Sequence, residues 1–170
     1  MDTTFARSGN IRLETAAETQ AFAEELGRHL EAGDVIILDG PLGAGKTTFT
    51  QGLARGLNVK GRVTSPTFVI AREHKSLSGG PSLVHVDAYR LIDDAAGATD
   101  PIGATDPIGA LDSLDLETEL EDAVVVAEWG GGLVEQITDS YLLITFDRTT
   151  AHIDDPDSEA RIVTWKVIEP

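Results

Sequence analysis

The chain has no cysteine among its 170 residues. That excludes a disulfide framework, a thiolate-bound zinc site and a thiol nucleophile, and it suits a reducing compartment. Long apolar runs are missing too. The longest, Ala123–Ala127, is far short of the ~18 residues a membrane-spanning helix requires. Residues Met1 to Asn10 carry neither a basic n-region nor an apolar h-region, so no secretory signal is expected. A cytoplasmic protein with no membrane association is the expectation. Basic side chains are scarce in one half only. Residues 1–90 hold 10 acidic and 10 basic side chains, whereas residues 91–170 hold 19 acidic ones against Arg148, Arg161 and Lys166. The second half therefore carries the whole net charge of −16. Nucleic-acid affinity rests largely on Lys and Arg neutralising phosphates, so tight RNA binding by this chain alone is disfavoured. The acidic half serves either as a solvated surface or as a face that meets a basic partner.

With 41% hydrophobic and 25% charged residues, the chain reads as one globular domain over residues 1–170, burying roughly 70% of its unfolded surface. Thr15-Ala16-Ala17-Glu18 fits a capping box that opens a helix, with Phe22, Leu26 and Leu30 on one face and Gly33 as its stop. Val35–Leu38 is a continuous apolar run, the pattern of a strand buried on both faces of a parallel sheet. A glycine-rich turn follows, then a second helix marked by Phe49, Leu53 and Leu57. Further strands are expected at Phe68–Ala71, Leu83–Val86, Val124–Ala127, Tyr141–Phe146 and Arg161–Ile168, the last two pairing as a hairpin. The predicted fold class is α/β: a layered, P-loop NTPase-like fold with a mainly parallel central sheet flanked by helices and an antiparallel C-terminal extension. Gly97–Ile102 is repeated letter for letter as Gly103–Ile108. Two copies are too few for a solenoid, and Asp-Pro disfavours a ladder, so residues 91–114 read as a flexible loop.

The richest motif is Gly40-Pro41-Leu42-Gly43-Ala44-Gly45-Lys46-Thr47, which matches G-x-x-x-x-G-K-[ST]. It follows a buried strand and opens a helix, the placement phosphate binding requires. Glycines at 40, 43 and 45 let backbone N–H groups curl around phosphate oxygens, and the helix start adds a partial positive charge. Lys46 supplies a point charge for the β and γ phosphates, and the Thr47 hydroxyl is placed to ligate Mg²⁺. A second acid should stand at the end of a neighbouring strand. Asp87, after Leu83–Val86, and Glu128, after Ala123–Ala127, both meet that description, and position in the chain leaves open which binds metal and which orients water. The guanine-selecting Asn-Lys-x-Asp is absent, and no glycine follows Asp87, so ATP is the expected nucleotide. His74 and His85 lack the spacing or companions of a zinc site and read as core or surface residues. Arg90 suits either an ion pair with Asp87 or a contact to phosphate.

Four motifs then fall in order: Gly40–Thr48, Thr64-Ser65-Pro66-Thr67-Phe68, His85-Val86-Asp87-Ala88-Tyr89-Arg90-Leu91 and Glu128-Trp129-Gly130. Together they resemble the TsaE family, bacterial ATPases of tRNA threonylcarbamoyladenosine (t6A) biosynthesis, over about Glu18 to Leu133. The first motif is generic, but its combination with the other three is specific. The resemblance implies an Mg²⁺-dependent ATPase working with TsaB and TsaD homologues, TsaD being the subunit that transfers the threonylcarbamoyl group. It would reach tRNA only indirectly, through that complex, in modifying the adenosine next to the anticodon. By the same resemblance Lys46 and the loop, through Thr48, hold the phosphates. Thr47 and Glu128 are the metal ligands, Asp87 is the second essential acid, and Thr64–Phe68, with Thr67, forms a switch-like arm near the γ-phosphate. Thr19 and the segment before it border the adenine. The duplicated hexapeptide departs from the family, which has a short acidic helical connection there. Two other readings follow from the residues: a nucleotide-dependent binding module whose hydrolysis is incidental, and a small-molecule kinase. The latter is disfavoured because the last 80 residues offer three cations for a phosphate lid.

Overall fold

The computed structural model describes residues 5–40, 45–61, 71–87, 122–128, 140–147, 153 and 160–169. They form β1 (Ser8–Leu13), α1 (Ala16–Arg28), β2 (Val35–Asp39), α2 (Lys46–Leu57) and β3 (Ala71–His74), then β4 (Ser82–Asp87), β5 (Ala123–Glu128), β6 (Tyr141–Asp147) and β7 (Arg161–Ile168). The loop expected at 91–114, with its repeat, lies outside the described residues, as do residues 68–70 of the strand expected at Phe68–Ala71. No described helix is long and apolar enough to cross a membrane.

The strands build one sheet in the order β1-β7-β6-β2-β5-β4-β3. Its centre is parallel, with β2 between β6 and β5, and β4 beyond β5. The pairs β1–β7, β6–β7 and β3–β4 are antiparallel. The sheet is thus mixed, and the expectation of a mainly parallel sheet holds for the centre but not for the edges. The C-terminal hairpin forms as expected, yet it is extended by β1, which the sequence reading missed. The cause is physical. Ser8–Leu13 is an edge strand whose side chains alternate between exposed and half-buried until Leu13, so it needs no continuous apolar run.

Central strands bury both faces. Ile36, Leu38, Val124, Val126, Leu83, Leu142 and Ile144 meet α1 and α2 in one core, while Val35, Ile37, Val84, Val86, Val125 and Ala127 are buried on the other face. Each such side chain contributes about 1.5–3 kcal/mol of hydrophobic stabilisation.

Thr15 caps α1 as expected, its hydroxyl accepting from the Glu18 amide at 3.2 Å. The Glu18 carboxylate reaches back one residue further than a capping box would, to the amide of Glu14. The helix ends at Arg28, before Gly33. His29 and Leu30 turn off through bonds to the Leu26 and Gly27 carbonyls, and Leu30 still reaches the core. Gly33, at φ 95°, sits in the turn into β2, where its amide bonds Ala123 O at 3.0 Å. At the end of α1, Arg28, with His29 second, holds the exposed Glu25 carboxyl below its usual range.

The two helices touch through backbone. A Cβ on Gly52 would lie 2.4 Å from Gln20 O, one on Gly56 2.2 Å from Glu24 O, and one on Gly27 2.7 Å from Leu53 O. Contacts 20–52 and 24–56 run in step, so the start of α1 lies alongside the start of α2. Gly56→Ala is expected to lose more from overpacking, about 1–3 kcal/mol, than the ~1 kcal/mol alanine returns in helix propensity. The melting temperature should fall by about 2–4 °C for each kcal/mol lost. A variant that melts at or above the wild type would contradict the close contact.

Candidate functional site

The four parallel strands all run out at one edge of the sheet, and the candidate residues gather there. β2 ends at Asp39 and delivers Gly40, which is buried. Residues 41–44, hence Pro41, Leu42, Gly43 and Ala44, lie outside the described residues. The chain re-enters at Gly45, the N-cap of α2, with φ 100° and ψ 18°. This left-handed geometry favours glycine, and no described residue lies within 4 Å of an added Cβ, so backbone conformation is what selects glycine here.

Lys46 is the first residue of α2 and is only 5% exposed. Its side chain folds back so that Nζ donates to the carbonyl of Gly40 at 2.7 Å, spanning the glycine-rich segment from one end to the other. Thr47 and Thr48 follow, half-buried, in the first helical turn. That turn holds no acidic residue, and its N-cap is Gly45, which has no side chain to cap it. Backbone N–H groups at a helix start are a ready anion site when nothing of the protein's own occupies them. Thr50, one turn on, spends its hydroxyl on Lys46 O at 2.9 Å and is structural.

Beside this junction stands Glu128. In the β2–β5 ladder it is level with Leu38, and in the β4–β5 ladder it is level with Asp87. Both candidate acids therefore sit on adjacent parallel strands, at the edge where α2 begins. Glu128 is 4% exposed, and its Oε1 lies 3.0 Å from Nε2 of His85, which is fully buried. Of the two readings left open for the histidines, core or surface, both His85 and His74 take the first, since His74 is also buried. Missing from that reading was the link between His85 and Glu128. Forty-three positions separate them, and only strand order and register, invisible in local spacing, bring them together. His85 Nδ1 is buried with no hydrogen-bond partner among the described residues, an arrangement costing about 1–3 kcal/mol.

Thr19 is buried in α1, and its hydroxyl bonds Thr15 O at 3.3 Å. It thus lies at the α1 end that runs beside the start of α2. Thr67 and the rest of Thr64–Phe68, Tyr89, Arg90, Trp129 and Gly130 are outside the described residues. Among the described residues no three His, Cys, Asp or Glu side chains cluster as a metal site. Thr47, in the first turn of α2, and Glu128, at the end of β5, carry oxygen donors of the kind Mg²⁺ takes alongside water and phosphate oxygens. These residues fit an Mg²⁺-bound nucleotide.

Fold and site together define an α/β protein with a glycine-rich strand-to-helix junction flanked by a buried carboxylate. The family described as "Threonylcarbamoyl adenosine biosynthesis protein TsaE" matches residues 13–156, and the chain belongs to it. A Mycobacterium tuberculosis protein named "tRNA threonylcarbamoyladenosine biosynthesis protein TsaE" is 44% identical over 158 residues, covering 92% of this chain and 86% of its own length. A Streptomyces coelicolor protein of the same name is 50% identical over 144 residues, 82% of this chain and 86% of that one. The crystal structure of Bacillus subtilis YdiB superposes with a TM-score of 0.63 at 27% identity, covering 98% of this chain and 88% of that one. The family match reaches beyond the Glu18–Leu133 span of the motif resemblance at both ends, taking in β6.

Gly45→Ala tests the junction. Forcing alanine into left-handed geometry costs about 1–2 kcal/mol, and with no described residue within 4 Å of the Cβ that loss should appear in urea unfolding. An unchanged midpoint would mean that the positive φ is not maintained.

Proposed function

We propose that the chain is an Mg²⁺-dependent ATPase that supports t6A modification of tRNA together with TsaB and TsaD homologues. The observation that carries this reading is the start of α2: a helix N-terminus whose N-cap is Gly45, with buried Lys46 folded back onto Gly40 across the glycine-rich segment. In the proposed site the amides of that turn receive the phosphates of ATP, Lys46 neutralises the β and γ oxygens, and Thr48 closes the cradle. Thr47 and Glu128 hold the cation, whose chemistry is to offset the negative charge spread over the transferring phosphoryl group. Asp87, level with Glu128 at the end of the next strand, is the second acid and orders the attacking water. Thr64–Phe68, including Thr67, senses the γ-phosphate, and the start of α1 around Thr19 borders the adenine.

The names of the relatives support the t6A assignment, and TsaB and TsaD homologues are the partners that the motif resemblance implies. Charge agrees with the division of labour. A chain of net charge −16 is poorly suited to grip tRNA itself and well suited to dock against a more basic protein. Cytoplasmic location follows from the tRNA substrate of the complex.

Phosphoryl transfer depends on positioning and charge stabilisation, and an arginine finger is worth about 10³–10⁵ in rate. In this scheme a partner supplies that group, so the purified protein should hydrolyse ATP slowly and accelerate when TsaB–TsaD homologues are added, read as phosphate release. Fast turnover unaffected by those partners would contradict the scheme. Lys46→Ala should abolish hydrolysis and remove the calorimetric signal of ATP·Mg²⁺ binding; wild-type heats would refute the phosphate site. Should Glu128→Ala or Asp87→Ala stop hydrolysis yet keep t6A formation, ATP acts as a switch and its cleavage is incidental.

A further inference from the structure

We infer that His85 is a positioning residue that holds the Glu128 carboxylate in place for the divalent cation. The inference rests on the proposed reading of Glu128 as a metal ligand and extends it to a residue one strand away. His85 is fully buried, on the sheet face that carries Leu83, Val124 and Val126 against the helices. Its Nε2 lies 3.0 Å from Glu128 Oε1. An ionised carboxylate can only accept, so in the neutral ring the proton sits on Nε2 and Nδ1 is left as a bare acceptor. Nδ1 has no partner among the described residues. A leucine would fill the same core volume without stranding a ring nitrogen, so packing does not explain the imidazole. Its one hydrogen bond does.

That bond has a directional consequence. Glu128 ends β5 with freedom about three side-chain torsions, which cation binding would otherwise have to freeze. The His85 N–H, fixed by the core, engages Oε1 and fixes the carboxylate plane. In the inferred arrangement Oε2 is the oxygen that serves the cation. Partners of this kind behind a ligating group typically change metal affinity by about 10–100-fold when removed.

The test uses the full chain, Mn²⁺ as the cation and a fluorescent ATP analogue as the probe, with binding followed at increasing Mn²⁺ and in its absence. His85→Leu should raise the Mn²⁺ needed for half-maximal binding about tenfold while leaving metal-free affinity unchanged. His85→Gln, whose amide nitrogen can occupy the Nε2 position, should restore most of the loss. A merely structural role would weaken both metal-free and metal-dependent binding, and glutamine would not rescue it; that result overturns the inference. If His85→Leu does not fold, His85→Asn replaces it, because its amide is too short to reach Glu128. Asparagine should then raise the Mn²⁺ requirement where glutamine does not, and equal behaviour of the two overturns the inference. Glu128→Gln separates the two levels. If it abolishes the Mn²⁺ dependence while the His85 variants stay within about twofold of wild type, His85 has no positioning role though Glu128 remains a ligand. If the Mn²⁺ dependence survives Glu128→Gln, the ligand reading itself fails and the inference fails with it.

Discussion

The pairing of β2 with β5 is the constraint on which the rest depends. Val35 to Leu38 align with Val125 to Glu128 in a parallel ladder, so both strands finish at the same edge. One feeds the glycine-rich junction and α2, and the other presents a carboxylate beside it. A slip of one residue would turn Glu128 to the opposite face of the sheet. Both faces of β5 are apolar, with Val124 and Val126 in the helix-side core and Ala123, Val125 and Ala127 buried behind, so the position of the carboxylate rests on the ladders to either side, which set Glu128 level with Leu38 of β2 and Asp87 of β4.

Buried polar groups concentrate near this edge. Among the described residues, Lys46, Thr50, His85 and Glu128 are buried at or near the carboxyl ends of the strands, with Thr19 in the helix alongside. Each needs a partner to offset lost hydration. Lys46 reaches Gly40 O, Thr50 reaches Lys46 O, Thr19 reaches Thr15 O, and Glu128 reaches His85. Helix and sheet thus meet in a wall of polar contacts beside the start of α2, with His85 Nδ1 left without a partner among the described residues. Such an arrangement suits a ligand that brings its own negative charge.

Much of this was legible in the sequence wherever the signal was local. Thr15 as a cap, the Val35–Leu38 strand, the helix after Lys46 and the final hairpin each follow from residues within a few positions of one another. So does the placement of Asp87 and Glu128 at strand ends. Long-range features were not legible. The edge strand β1 lacks an apolar run, the helix contact depends on Gly27, Gly52 and Gly56 meeting carbonyls far along the chain, and the His85–Glu128 bond depends on strand order. Helix-interior glycines at 52 and 56, four apart, were the one available clue to the tight helix pair. Gly33 was misassigned for a related reason: a glycine after a helix resembles a stop, whereas here it serves the entry to β2.

The union of β1 with β7 bears on how the molecule is made. Trp165 Nε1 bonds Ala6 O at 3.0 Å across 159 positions, and Gly9 is bare where the indole passes. A chain emerging from the ribosome therefore leaves the edge that β1 will join open until β7 is complete. Closing that seam is a strongly non-local event, and such events are slow because loop entropy is lost before contacts return it.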